Sequence, residues 1–139
     1  MWNKQTINLS NGETYAYLEQ GDGNIPLILI HGNFSSSIHF TPLLERLPND
    51  IKVYALDLRG FGDSSYHKRV STLAELSDDI KIFMDMKGIK KAHILGWSLG
   101  GGVALEFGAK YPEMTDKLIL MNSTTHKGYP IFKKDENNQ

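Results

Sequence analysis

The sequence contains no cysteine, and this absence excludes a disulfide framework and a thiolate metal site. It agrees with a reducing compartment, and the cytoplasm is the expected location. An excess of one charge is also missing: 15 Lys and Arg residues stand against 16 Asp and Glu residues, a net charge of −1 with neutral histidines. The chain lacks the basic surplus typical of proteins that bind nucleic acid or an anionic membrane, so we expect neither partner.

Long hydrophobic runs are missing as well. The longest aliphatic run, Leu27–Ile30, is far shorter than the roughly 20 residues that a membrane helix needs. The first residues lack the apolar stretch of a signal peptide. The five histidines show no zinc-site spacing, and we expect neither a metal nor a cofactor. The 139 residues, 40% hydrophobic and 22% charged, have the composition of one globular domain.

Strand and helix patterns alternate along the chain. Two strand patterns, 6–9 and 14–19, flank Asn11-Gly12, a strong hairpin-turn signal. Four later apolar runs are typical of strands buried on both faces; they cover 26–30, 51–56, 92–95 and 118–121. Apolar residues at helical spacing occupy segments 40–47, 73–84 and 103–107. The order β-β-β-α-β-α-β-α-β predicts a mostly parallel α/β sheet with helices on both faces.

The segment Gly96-Trp97-Ser98-Leu99-Gly100 carries the strongest functional signal. It stands between a predicted strand and a predicted helix, which is the setting of a nucleophile elbow. Such a turn holds Ser98 in a strained backbone conformation, with its hydroxyl at the carboxyl end of the sheet. Gly96 and Gly100 have a steric reason to be glycine, because side chains there would collide across the turn. The plainer interpretation of Ser98 is a helix N-cap, a position that serine also favours.

Two further motifs accompany this segment. His31-Gly32 follows the third predicted strand, and the glycine-broken loop 57–64, Asp-Leu-Arg-Gly-Phe-Gly-Asp-Ser, follows the fourth. Together with the elbow after the fifth strand, these motifs resemble the α/β-hydrolase family. The resemblance spans nearly all of this chain but only the first part of a family member. It implies the N-terminal part of an α/β-hydrolase sheet, from a β-hairpin through βα units to the sixth strand.

The resemblance assigns roles to five residues. Ser98 is implied as the catalytic nucleophile. The backbone N–H groups of Leu99 and Asn33 are implied as the oxyanion hole, with the N–H of Phe34 as the next candidate donor. Phe34 and Trp97 are candidates for the wall of the acyl pocket, although aromatic residues at such spacing are also typical of a hydrophobic core.

The acid and the histidine of a catalytic triad are not identified in this sequence. Asp57 and Asp63 lie in a glycine-rich loop, where aspartates hydrogen-bond nearby backbone amides, and they precede Ser98 against the family's chain order. His126 follows the sixth strand but precedes the position of the family's acid. We therefore expect a truncated family member, with residues 1–123 as part of the core and residues 124–139 as the shortened entry to a cap.

The expected function is a serine hydrolase that acts on a small-molecule ester, thioester, amide or lactone. Serine at the elbow argues against the dehalogenase and epoxide-hydrolase branches of the family, which use aspartate there, while lyase and transferase branches stay open. One alternative is a catalytically incomplete fragment or split-protein half that self-associates, or binds a missing C-terminal segment, through its open sheet edge. Another is a small binding module that uses the elbow only as a scaffold.

Overall fold

The computed structural model describes residues 2–122, which form one six-stranded sheet in the order β1-β2-β4-β3-β5-β6. The strands are β1 Gln5–Asn8, β2 Thr14–Gln20, β3 Leu27–Ile30, β4 Val53–Leu56, β5 Ala92–Trp97 and β6 Thr115–Met121. β1 and β2 form an antiparallel hairpin and β2 pairs antiparallel with β4, whereas β4, β3, β5 and β6 pair in parallel. This confirms the predicted α/β sheet and its order of elements.

Three helices cover the two faces of the sheet: α1 Thr41–Leu44, α2 Leu73–Met86 and α3 Leu99–Lys110. Alternate residues of each central strand enter different cores. Ile28 and Ile30 of β3 pack with residues of α2 and α3, whereas Leu29 packs with residues of α1. This alternation follows from the period of two in a strand, and it explains why the central strands are apolar along their whole length.

α2 begins where the sequence predicts it. The Thr72 side chain accepts a hydrogen bond from the Glu75 backbone N–H at 3.2 Å, and the Glu75 carboxylate accepts one from the Ser71 N–H at 3.0 Å. These bonds satisfy donors that the first turn of a helix leaves unpaired. Gly88 follows the helix with a φ of 71°, the left-handed conformation that commonly ends helices.

Two expectations about the elements are wrong. Residues 118–121 are not a buried strand: their side chains are 38% to 47% exposed, because β6 pairs with β5 on one side and with no other described strand. The helix expected over 40–47 is also short, since a 3₁₀ turn at Ser37–Phe40 precedes a single α-helical turn, and Leu47 lies beyond it. The expected cap entry at 124–139 and His126 lie outside the described residues.

Candidate active site

Ser98 lies between the last residue of β5 and the first residue of α3, with φ 56° and ψ −118°. A non-glycine residue at positive φ costs on the order of 1–3 kcal/mol, and such strain is concentrated at functional sites. The Ser98 backbone is fixed on both sides. Its N–H donates to the Met121 carbonyl at 3.0 Å, and its own carbonyl accepts from the Gly101 N–H at 2.9 Å. The strained turn predicted from the motif is therefore present.

The two flanking glycines allow this turn to close. A Cβ on Gly96 would overlap the backbone carbonyl of Gly100, and a Cβ on Gly100 would overlap the carbonyl of Ile30. Both obstacles are backbone atoms, which have less freedom to move than the end of a side chain. The start of α3 consequently lies against the end of β3, as close as two backbones pack.

The loop after β3 lies directly beside Ser98. A Cβ on Gly32 would be 3.2 Å from the Ser98 Cβ and 3.1 Å from Cε3 of the Trp97 ring. Ile30 is paired with Gly96 in the sheet, so the ends of β3 and β5 are neighbours. The structure thus brings the His31-Gly32 motif and the elbow together, although they are far apart in sequence.

His31 is buried, and both of its ring nitrogens have partners. Nε2 accepts a hydrogen bond from the Leu58 N–H at 3.0 Å, so the proton of the neutral ring is on Nδ1, which donates to the Gly32 carbonyl at 2.8 Å. Burial lowers the pKa of His31 below 6.5 and outweighs the hydrogen bond to Gly32 and the Asp57 charge, which raise it. His31 is therefore a neutral structural residue and not a proton acceptor.

The hydrogen bond from His31 also orients a possible oxyanion donor. The Gly32 carbonyl and the Asn33 N–H belong to one planar peptide group, in which the two bonds point in opposite directions. Anchoring the carbonyl oxygen on His31 therefore fixes the direction of the Asn33 N–H. The Phe34 N–H, the alternative donor, instead donates to the Asn33 side chain at 3.1 Å.

Comparison with known proteins agrees with this geometry. A family model described as the alpha/beta hydrolase fold matches residues 25–137. The chain belongs to the α/β-hydrolase fold family. Its relatives in the family differ in the activity that their names give, so membership alone does not identify a reaction.

One relative is the pimeloyl-[acyl-carrier protein] methyl ester esterase of Wigglesworthia glossinidia brevipalpis, which is 31% identical over 83% of this chain and 44% of that protein. Human epoxide hydrolase 4 is 34% identical over 81% of this chain and 32% of that protein. The structure of a meta-cleavage product hydrolase from Pseudomonas fluorescens is 30% identical, with a TM-score of 0.80 over 86% of this chain and 45% of that one. The chain spans less than half the length of these relatives.

Asp57 fixes the two loops of this family site to each other. Its carboxylate accepts hydrogen bonds from the Ser37 N–H at 2.7 Å and the Asp63 N–H at 2.9 Å, and it pairs with Lys4 at 2.7 Å. Burial raises the pKa of Asp57, but these partners outweigh it and hold the pKa below 3.8. Its position supports the prediction that Asp57 has a structural role, since Ser37 and Asp63 lie in the two loops and Lys4 directly precedes β1.

A second buried carboxylate escaped the sequence analysis. Asp79 on α2 forms a bidentate pair with Arg59, with distances of 2.8 Å and 2.7 Å, and it also accepts a hydrogen bond from Asn11 at 2.9 Å. Arg59 was visible as part of the motif after β4, but its partner lies 20 residues later in sequence, at the border of the apolar face of α2. Removing one partner of such a buried pair costs about 3–5 kcal/mol.

The three other described histidines lie in different parts of the chain. His39 contacts Ser35 within the loop after β3, with 2.5 Å between Nδ1 and Oγ, a serine–histidine pair that the sequence analysis missed. His67 is exposed in the loop after β4. His93 lies at the amino end of β5, four residues before Trp97.

The two aromatic candidates for the acyl pocket differ in their environment. Phe34 is 87% exposed, with φ 54°, so it lies on the surface of the described residues and does not line an enclosed pocket there. Its role in the acyl pocket stays a prediction. Trp97 is partly buried, with its ring beside Gly32, and it packs against the core on the α1 side of the sheet. Within residues 2–122, no group of three or more His, Cys, Asp or Glu side chains is placed to hold a metal, and no helix is long and apolar enough to cross a membrane.

A pH effect on stability follows from the buried neutral ring of His31. Below pH 6.5 the unfolded chain binds a proton at this residue that the folded protein excludes, so the free energy of unfolding falls as the pH drops from 6.5 toward the lower pKa of the folded state. Urea unfolding between pH 7.5 and pH 5 measures this loss. His31→Asn removes the titrating ring, so we expect this part of the pH dependence of the free energy of unfolding to disappear in the variant. If the pH dependence is the same in the variant and the wild type, its assignment to His31 is wrong.

Proposed function

We propose that this chain carries the nucleophile of a serine hydrolase that acts on small-molecule esters, thioesters or lactones, with Ser98 as the nucleophile. The observation that carries the proposal is the positive-φ turn at Ser98, with the Gly32 backbone packed against it. This arrangement presents a serine hydroxyl and two backbone amides at one end of the sheet. The esterase among the relatives supports an ester as the substrate class.

In the proposed reaction, the Ser98 hydroxyl oxygen bonds to the substrate's carbonyl carbon while a general base accepts its proton. The N–H groups of Leu99 and Asn33 hydrogen-bond to the oxyanion; such donors stabilise a transition state by up to about 4 kcal/mol each. The bond to the leaving alcohol or thiol then breaks, and that group takes the proton from the base. Water attacks the acyl-serine in a second round of the same steps, which releases the acid and restores Ser98.

We assign the general base to none of the histidines of residues 2–122. His31 is neutral and its two ring nitrogens are occupied, and His39 contacts Ser35. His126, outside the described residues, is one candidate for the base. A residue of a longer protein is the other, since the relatives extend well beyond the matched region.

Labelling with a fluorophosphonate tests the nucleophile. This reagent phosphonylates an activated serine, so we expect one adduct in the intact-protein mass and its location on the peptide that contains Ser98. An adduct on Ser35, the serine that contacts His39, contradicts the proposal. No adduct on this chain means that the elbow is not activated and favours the second candidate function below.

The second candidate is a catalytically incomplete fragment or split-protein half that associates through β6. The exposed side chains of this edge strand favour it: Leu118, Ile119, Leu120 and Met121 are each more than a third exposed. Consecutive residues of a strand point to opposite faces, so apolar surface is open on both faces of the edge. Such edges pair readily with another strand.

Gel filtration over a wide dilution series tests this association. We expect the elution volume to shift with concentration, and Leu120→Lys to weaken the shift because it places a charge on the edge. Ser10→Lys, in the exposed turn between β1 and β2 at the other edge of the sheet, adds the same charge and is the matched control. A single monomer peak at every concentration rejects self-association, and gain of esterase activity on addition of a C-terminal segment from a relative supports the split-protein form.

A further inference from the structure

An apolar cavity of about 340 Å³ lies beside the elbow. It is bounded by the loop after β4, the first turn of α2 and the first residue of α3. Its walls include Arg59, Phe61, Tyr66, Val70, Leu76 and Leu99. Ligand pockets of proteins have volumes of about 300–1,000 Å³, so this cavity is large enough for a short carbon chain but not for a large ligand.

We propose that this cavity binds the acyl chain of the substrate and makes esters of short aliphatic acids the preferred substrate class. The inference rests on the proposed function of Ser98. It identifies Val70 and Tyr66 as residues that determine chain length.

The position of Leu99 connects the cavity to the proposed reaction. The backbone N–H of Leu99 is a proposed oxyanion donor, and the same residue lines the cavity. A substrate whose carbonyl oxygen lies against that N–H has its acyl chain within reach of the cavity. Phe61 connects the cavity to the loop after β3, because its ring lines the cavity and packs edge-on against His31, with 5.1 Å between ring centroids.

The chemistry of the walls favours an uncharged chain. Among the described residues, Arg59 is the one charged residue in the lining, and its guanidinium already donates to both oxygens of Asp79 and to the Lys68 carbonyl at 3.0 Å. Its charge is therefore balanced by a buried carboxylate and is a poor partner for a second one. Carbon atoms supply most of the remaining surface, so burial of methylene groups is the main source of affinity.

Tyr66 forms the outer wall of the cavity and is held in place by two contacts. Its ring lies on Gly60, where a Cβ would be 2.9 Å from the Tyr66 Cδ1, and its hydroxyl accepts a hydrogen bond from the Val70 N–H at 3.2 Å. The ring is 54% exposed, so it separates the cavity from solvent. Removing the ring opens the cavity at this side and admits longer chains.

The test compares p-nitrophenyl esters from acetate to octanoate, which share one leaving group. We expect kcat/KM to rise from acetate to hexanoate by up to about fourfold for each methylene buried. Val70→Trp fills the cavity, so we expect the ratio of kcat/KM for hexanoate to kcat/KM for acetate to fall by tenfold or more. Tyr66→Ala moves the optimum to longer chains, and Tyr66→Phe keeps the wall and the wild-type optimum. Equal kcat/KM for acetate and hexanoate in the wild-type chain overturns the inference.

A binding measurement separates failure of this inference from failure of the proposed function. 4-Nonanone, a ketone analogue of ethyl hexanoate that cannot be hydrolysed, is titrated into methyl-labelled protein, and the resonances of Leu76 and Leu99 are followed by NMR. Shifts in the wild-type chain that Val70→Trp abolishes support the cavity even if fluorophosphonate labelling of Ser98 fails. Labelling of Ser98 without such shifts retains the nucleophile and rejects the cavity as the acyl site.

Discussion

Ser98→Ala is expected to reduce ester hydrolysis by about four to six orders of magnitude, as removal of a catalytic serine does in other hydrolases. The hydroxyl oxygen of Ser98 is the atom that bonds to the carbonyl carbon, and alanine has no atom that can replace it. The Leu99 and Asn33 amides remain, so a small residual rate over the uncatalysed reaction is expected. Steady-state rates with p-nitrophenyl hexanoate, together with fluorophosphonate labelling, measure the change.

A second variant at position 98 tests the backbone conformation of the elbow through its effect on stability. Ser98 has φ 56°, a conformation that glycine adopts without strain, so Ser98→Gly should raise the free energy of unfolding by about 1 kcal/mol while it abolishes labelling. Ser35→Ala is the matched serine variant in the loop after β3, and hydrolysis should persist in it. If Ser98→Ala retains the wild-type rate, the nucleophile lies elsewhere and the function proposed for the elbow is wrong.

The elbow was predictable because its requirements are local. A buried strand, a tight turn and a helix follow one another over residues 92–110, and two glycines stand where the backbones meet. The mostly parallel sheet was predictable for a related reason, since strands that alternate with helices are typical of parallel α/β sheets. The same information placed Asp57 in a structural loop, and its three hydrogen-bonding or ionic partners now account for that role.

The features that were missed depend on residues distant in sequence. Whether β6 is buried is decided by which strands flank it and not by its own apolar side chains. The partner of Arg59 is Asp79 on α2; Leu76 and Phe83 place it beside the apolar face of the helix, but the pairing with Arg59 joins residues 20 positions apart. The role of His31 follows from an amide 27 residues later, the Leu58 N–H, which determines the ring tautomer and through it the direction of the Asn33 peptide.

Gly100→Ala is expected to lower the free energy of unfolding strongly. The new Cβ would overlap the carbonyl oxygens of Ile30 and His31, both of them backbone atoms at the end of β3. Relieving the overlap moves α3 away from the sheet, and overpacking costs about 1–3 kcal/mol, with larger values where backbone atoms must move. Because the whole fold is stabilised by only about 5–15 kcal/mol, a much lower urea midpoint is expected. Labelling of Ser98 should fall as well, since the displaced helix carries the Leu99 amide.

Gly108→Ala in the same helix is the matched control, and it separates crowding at the elbow from the general effect of alanine in α3. A Cβ at Gly108 would meet only the Leu118 side chain, at an ordinary contact distance of 3.6 Å. Alanine is favoured over glycine inside a helix by about 0.5–1 kcal/mol, so this variant should be slightly more stable than the wild type. Opposite signs for the two variants show that the close approach of α3 to β3, and not helix propensity, is what requires glycine at position 100. Equal stability of Gly100→Ala and the wild type means that the two backbones are further apart than the elbow geometry requires, and that Ser98 is not held in the strained turn on which the proposed chemistry depends.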